Sequence, residues 1–269
     1  MLYEDEFFGD PRKIVLSKRS MSLWKLLKSN PSFSYYGRAV ALTIQSRDSS
    51  SLIQALAKIQ GVGVGLYVKK SEVTGLFSDF KNNGFLTDRH EHYRGAKESY
   101  EVSKELLKKY TLPNDLSVLE LNEKTSKSLV KSAALLCDSC GVMPVPGLAM
   151  RGKFQAGLNL IAFDKDQKVV SSASAFFLHH KKNPNYKDVM WGMLATKEDR
   201  RGEKISLILG AKIIIKMWEK FGARGFITGV RSENLASVKL CNKLGLYDTE
   251  WVYAQCIDTE LLGTARVTK

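Results

Sequence analysis

Two arginines, a glycine and a serine stand at the head of the most apolar stretch of the chain. Asp199-Arg200-Arg201-Gly202-Glu203-Lys204-Ile205-Ser206 runs directly into aliphatic residues that continue to Phe221. The first turn of a helix has backbone N–H groups without intrahelical partners, at the positive end of the helix dipole, and such an end binds anions. Arg200 and Arg201 would add charge there, and Ser206 a hydroxyl. A second helix start is marked by Asn234, with Ser237 three residues on, an arrangement that suits an N-cap. Three other groups of residues invite chemistry. Cys137-Asp138-Ser139-Cys140 has the spacing of a metal-binding pair, but zinc needs two further ligands. Cys241, Cys256, His179 and His180 are scattered, so the pair reads as core at a helix end and no metal is expected. His90 and His92 alternate along a strand and share a face, where they read as exposed polar residues. His179-His180-Lys181-Lys182 reads as a solvated loop.

The elements that must position the anion turn follow from periodicity. Strands are expected over Leu116 to Leu121, Leu158 to Phe163, Val169 to Leu178, Val189 to Ala195, Phe226 to Val230 and Tyr247 to Cys256. Helices are expected over Thr125 to Cys140, Glu203 to Phe221 and Asn234 to Leu244, the last two stopped by Gly222 and Gly245. Val142 to Phe154 reads as loop. The order β-α-β-β-β-α-β-α-β, with one helix apolar on nearly all sides, implies an α/β (α+β) fold. Its mixed central sheet is flanked by helices. A polar helix over Ala96 to Tyr110, broken at Pro113-Asn114-Asp115, reads as the connection between two domains, residues 1–112 and 113–269.

From about Leu116 to Asp258 the sequence resembles the GNAT (GCN5-related) N-acetyltransferase superfamily. Met190 to Ile215, a strand, basic-glycine turn and long apolar helix, carries part of the resemblance. The pattern Asn234, Ser237, Leu240, Lys243, Gly245, Leu246 between two strands carries the rest. The resemblance implies that the anion is the pyrophosphate of acetyl-CoA, held by Arg200, Arg201, Gly202, Glu203, Lys204, Ile205 and Ser206. It implies that Leu194, Ala195 and Thr196 hydrogen-bond the pantetheine arm with their backbone, and that Asn234 and Ser237 complete the site. The family turn is basic-x-x-Gly-x-Gly/Ala, and here only Gly202 remains. With Gly202 as the first glycine, Asp199 takes the basic place and Lys204 the second glycine. With Arg200 as the basic residue, Glu203 and Ile205 replace both glycines. Many members place a tyrosine one turn before the terminal glycine of the later helix, to protonate the departing thiolate. Cys241 stands there, and it reads as a small core residue, so catalytic residues are unknown.

The first part repeats the plan faintly. Gly61, Ser71, Glu72 and Gly84 match Gly222, Ser232, Glu233 and Gly245 at one offset of 161 residues (222 less 61), and Ile53 matches Ile214. Ser49 to Gln60 and Glu72 to Asn83 would be helices. Arg38 to Ile44, Gly65 to Val68 and Phe85 to Tyr93 would be strands. Gln45-Ser46-Arg47-Asp48 carries no anion turn, and Val73 replaces the asparagine. The fold is therefore expected to be duplicated, with a degenerate GNAT-like first half, an unrelated cap domain being the alternative. Tandem halves of this kind are similar to those of mycothiol synthase, N-myristoyltransferase and Fem-type aminoacyl-tRNA-dependent ligases.

Composition narrows the field. Four cysteines in 269 residues do not make a disulfide scaffold. Met1 to Asp10 is acidic and has no apolar core of a signal peptide, and Ile205 to Trp218 is too short to span a bilayer. A cytoplasmic protein with no membrane partner is expected. The net charge of +13, spread over both halves, attracts phosphates or acidic partners. It is compatible with a nucleic-acid partner without predicting one. The expected activity is transfer of an acetyl group from acetyl-CoA, as co-substrate, to a primary amine in a cleft between the halves. The alternatives are an aminoacyl-tRNA donor or a non-catalytic binding protein.

Overall fold

The computed structural model describes residues 6–263 and 266–268; residues 1–5 of the acidic start lie outside the described residues. The elements in chain order are α1 (Pro11–Leu27), β1 (Phe33–Tyr35), β2 (Val40–Leu42), α2 (Ser49–Gln60), β3 (Val62–Lys69), α3 (Val73–Asn82), β4 (Leu86–Gly95) and α4 (Lys97–Lys109). They continue with β5 (Ser117–Glu120), α5 (Lys127–Ser139), α6 (Gly147–Met150), β6 (Gly157–Phe163), β7 (Val169–Phe177), β8 (Asp188–Thr196), α7 (Ile205–Phe221), β9 (Gly225–Val230), α8 (Leu235–Lys243), β10 (Tyr247–Ile257) and α9 (Thr259–Leu262). Nearly all the expected elements are present, within a few residues at each end. Two were missed. Helix α1 begins at a capping Asp10, whose carboxylate accepts from the Arg12 and Lys13 amides, with Pro11 in the first turn. A single turn, α6, interrupts the loop expected over Val142 to Phe154.

Among the described residues ten strands form one open mixed sheet, in the order β1-β2-β3-β10-β4-β9-β8-β7-β6-β5. The order is palindromic at its centre. β3 and β9 are equivalent at the 161-residue offset, as are β4 and β10, and each of β3 and β9 pairs antiparallel with the last strand of the other half. β4 and β10 then pair with each other, and Glu91 lies opposite Val252, its own counterpart at that offset. The two halves have thus exchanged their final strands about a pseudo-twofold axis through this pair. The helices preceding β3 and β9 both end at a left-handed glycine, Gly61 and Gly222.

Apolar layers cover both faces. Helix α7 lies against β6, β7 and β8, with Ile205, Leu209, Ile213, Ile214 and Met217 buried. Its outer side is covered by α4. Tyr100 stacks on Trp218 at 5.3 Å, and the Ser99 hydroxyl donates to the Gly245 carbonyl, so the segment read as a connection is a packed layer. The other face carries α5, with Val130, Ala133 and Ala134 buried.

The turn between β1 and β2, Tyr36-Gly37-Arg38-Ala39, is wedged against the later half. Gly37 has φ +82°, and a Cβ there would lie 2.5 Å from Val145 Cγ1 and 3.0 Å from Phe176 Cζ. Gly37→Ala combines a left-handed backbone with overpacking. It is expected to lower stability by about 1–3 kcal/mol in denaturant titration; an unchanged midpoint would show that the turn can swing away from Val145.

Candidate active site

The site begins where two parallel strands part. β8 and β9 pair from Asp188 opposite Gly225 to Met190 opposite Ile227, and no further. Beyond Met190 the edge of β8 that faces β9 is open, while its other edge stays paired with β7 as far as Thr196. Within this open stretch β8 bulges. Ser174 faces Gly192 and Ser172 faces Ala195, so Met193 and Leu194 together oppose Ala173. Met193 is left-handed at φ +49°, a conformation that costs a non-glycine residue about 1–2 kcal/mol. A bulge takes a residue out of the ladder and re-aims its backbone. Gly192, Met193 and Leu194 line a cleft whose other wall is Thr228 to Val230 of β9, Arg231 and the first turns of α8.

A second hollow lies around the N-terminus of α7. Thr196, Arg200, Arg201, Gly202, Lys204, Ile205 and Ser206 line it, facing Ala236, Lys239, Leu240 and Lys243 of α8. Leu240 lines both hollows. No side chain caps α7, so its first-turn amides are open to an anion. Gly202 has φ +90° and Lys204 φ +62°, so both residues of the turn have the left-handed backbone that favours glycine. The Lys204 ammonium lies 5.0 Å from the centre of the Tyr110 ring.

The other predicted residues divide by environment. Arg200 is held by carboxylates: Glu203 and Asp115 accept from its guanidinium at 2.7–3.1 Å, which raises its pKa, so it braces the turn. Arg201 is more exposed; it reaches Glu198 at 3.6 Å and donates from Nε to the Thr196 carbonyl at 3.5 Å. The Ser206 hydroxyl is tied to that of Thr196, which also meets Ser171. Leu194 lines the cleft, whereas Ala195 points into the core with Leu136 and Cys137. Asn234 caps α8 by accepting from the Ser237 amide at 3.2 Å, and both line the cleft. Glu203 lines neither hollow.

The inner end of the cleft was not legible in the sequence. Tyr36 and Arg38 arrive there from the β1–β2 turn, His90 from β4, and Tyr253 and Gln255 from β10. Strand exchange puts them side by side. His90 and His92 do share a face, but both are buried rather than exposed. Burial holds the His90 imidazole at about 4, so it is neutral at pH 7, and its Nδ1 meets Gln255 Nε2 at 3.0 Å. His179, expected in a solvated loop, is also enclosed, between the Ser34 and Tyr67 hydroxyls at 2.7 and 3.0 Å. Arg231 is paired with Asp88. Burial pushes the Cys241 thiol up to about 12 and Cys137 up to about 11, so neither is a thiolate nucleophile at neutral pH. In the first half the gap between the parallel strands β2 and β3, equivalent to that between β8 and β9, is bridged by Gln45, whose Nε2 donates to the Leu66 carbonyl at 2.8 Å.

No family model matches the sequence, and no curated protein matches it. Solved structures do match. A GCN5-related N-acetyltransferase from Kribbella flavida superposes with a TM-score of 0.56 at 9% identity, over 90% of this chain and 95% of the other. A GCN5-related N-acetyltransferase-like protein from Streptococcus suis gives 0.54 at 14% identity, over 85% of each chain. A tandem GNAT protein from the clavulanic acid biosynthesis pathway gives 0.54 at 11% identity, over 79% of this chain and 70% of the other. The chain has the fold of the GCN5-related N-acetyltransferases, and the resemblance read from Met190 to Ile215 and from Asn234 to Leu246 is confirmed at the level of fold. No helix among the described residues is long and apolar enough to cross a membrane.

Proposed function

We propose that the protein is an acyl-CoA-dependent N-acyltransferase that transfers acetyl from acetyl-CoA to a primary amine. The observation that carries this reading is the parting of β8 from β9, with a bulge at Met193 on the exposed edge and an uncapped helix end beyond it. The open edge from Leu194 to Thr196 suits the amides of a pantetheine arm, which would add to β8 as a strand does. The amides of the α7 turn suit a pyrophosphate, with Arg201, Lys239 and Lys243 supplying charge. The amine nitrogen attacks the thioester carbon, the C–S bond breaks, and the proton that nitrogen loses ends on sulfur. The bulge backbone would stabilise the oxyanion, and the rate would come mainly from alignment. In this reading residues 113–269 are the transferase half. Residues 1–112 are a degenerate copy whose gap Gln45 closes and which supplies the inner wall of the cleft.

The test is isothermal titration with acetyl-CoA. The wild type is expected to bind at micromolar Kd, and the triple variant Arg201→Ala/Lys239→Ala/Lys243→Ala about tenfold or more weakly. Arg200→Ala is expected to loosen the turn without removing the charges of Arg201, Lys239 and Lys243. Absence of binding by the wild type would defeat the acetyl-CoA reading; salt-dependent RNA binding in its place would point to an aminoacyl-tRNA donor.

A further inference from the structure

Three buried polar atoms at the inner end of the cleft have no hydrogen-bond partner: Arg38 Nε, Tyr253 Oη and Gln255 Oε1. Folded proteins leave few buried polar atoms unpaired, because each one costs the desolvation of that group. Three of them lining one cavity call for a ligand that supplies their complements.

Arg38 is the most telling. The two fully buried arginines of the described residues face carboxylates: Arg231 meets Asp88 and Arg151 meets Glu6. Arg38 has no hydrogen bond or ion pair among the described residues, and no Asp or Glu lines the cleft. A guanidinium stays charged, and its planar fork of donors matches a carboxylate. The side chain is not on a free loop, because its turn is wedged at Gly37 against Val145 and Phe176. The other two atoms complete a pattern. Tyr253 offers a phenolic O–H, which burial keeps protonated. Gln255, with Nε2 on His90, presents Oε1 as an acceptor. Two donors suit a carboxylate, and an acceptor beside them suits the N–H of an amine.

We propose that the acceptor is an amino acid or a closely related amino carboxylate, its carboxylate held by Arg38 and Tyr253 and its amine by Gln255, in the cleft that Met193 lines. The transfer step rests on the acyltransferase reading; the binding of the amino carboxylate rests on the cleft alone.

The experiment is direct titration of the wild type and of Arg38→Met with the twenty common amino acids. Cadaverine, agmatine, tyramine, phenethylamine and histamine serve as the decarboxylated counterparts of five of them, and every titration is run with and without CoA. At least one amino acid is expected to bind the wild type, with a counterpart lacking the carboxylate about 100-fold weaker. Arg38→Met should erase that difference and Arg38→Lys restore part of it. Arg38→Met also removes a half-buried charge that has no carboxylate partner, so the empty variant is expected to melt no lower than the wild type, which separates loss of binding from loss of fold. Acetyl-CoA and succinyl-CoA are titrated in parallel. If acetyl-CoA does not bind but an amino acid binds through Arg38, the acyltransferase reading falls and this proposal stands. The proposal is overturned if no amino acid binds the wild type, or if amines without a carboxylate bind as well. It is also overturned if Arg38→Met binds unchanged or melts lower, or if Arg38→Met weakens succinyl-CoA alone, which would place the carboxylate on the donor.

Discussion

Acidification from pH 7.5 to 5 is expected to destabilise the protein by up to about 6 kcal/mol, about 2 kcal/mol from each of His90, His92 and the partly buried His179. Burial lowers His90 and His92 to about 4 and His179 to about 3, in each case as the largest cause. Next in size, Asp88 opposes the shift at His90, whereas Arg94 adds to it at His92 and His92 adds to it at His179. The sign follows from the unfolded chain, whose histidines titrate near 6.5. Below that pH the unfolded state takes up protons that the folded state refuses. The stability is present in full above about 6.5 and is lost as the pH falls toward about 4. Urea unfolding followed by tryptophan fluorescence at pH 7.5, 6.5, 5.5 and 5.0 measures the slope. His92→Phe should flatten it by about 1.4 kcal/mol per pH unit, whatever it does to absolute stability. A stability that does not change between pH 7.5 and 5 would mean that these rings charge in place.

The second large effect concerns the strand exchange. Residues 113–269 expressed alone are expected not to form a native sheet. β10 pairs with β3 and β4 on its two sides, both from the first part of the chain, and β9 pairs with β4 from Phe226 to Val230. Without residues 1–112, β10 has no neighbour, and α7 also loses the cover of α4. Unpaired edges of this length favour aggregation. Solubility and near-ultraviolet circular dichroism of the fragment test this, with co-expression of residues 1–112 as the restoring control. A soluble, cooperatively unfolding fragment that binds acetyl-CoA would show that β9 and β10 can pair directly.

The sequence by itself determined the local structure. Periodicity and stop signals located β8, α7, β9, α8 and β10 within a few residues, because apolar spacing and a C-terminal glycine act over one or two turns of chain. The 161-residue offset was legible for the same reason, since Gly61 and Gly222 answer the same local demand at a helix end. The turn before α7 was legible as a basic loop ahead of an apolar helix. Its backbone was not, because a left-handed Lys204 has no signature in composition.

Only the tertiary structure decided which strands are neighbours. Alternation tells which face of a strand is buried but not which strand lies beside it, so the placement of β4 between β9 and β10 left no mark on the sequence. The inner end of the cleft depends on that placement. Arg38, His90, Tyr253 and Gln255 come from three separate elements, and no spacing connects them. Arg38 read as an ordinary residue at the start of a strand. Its significance comes from lacking a carboxylate in an enclosed site, which is a property of the packing and not of the residue.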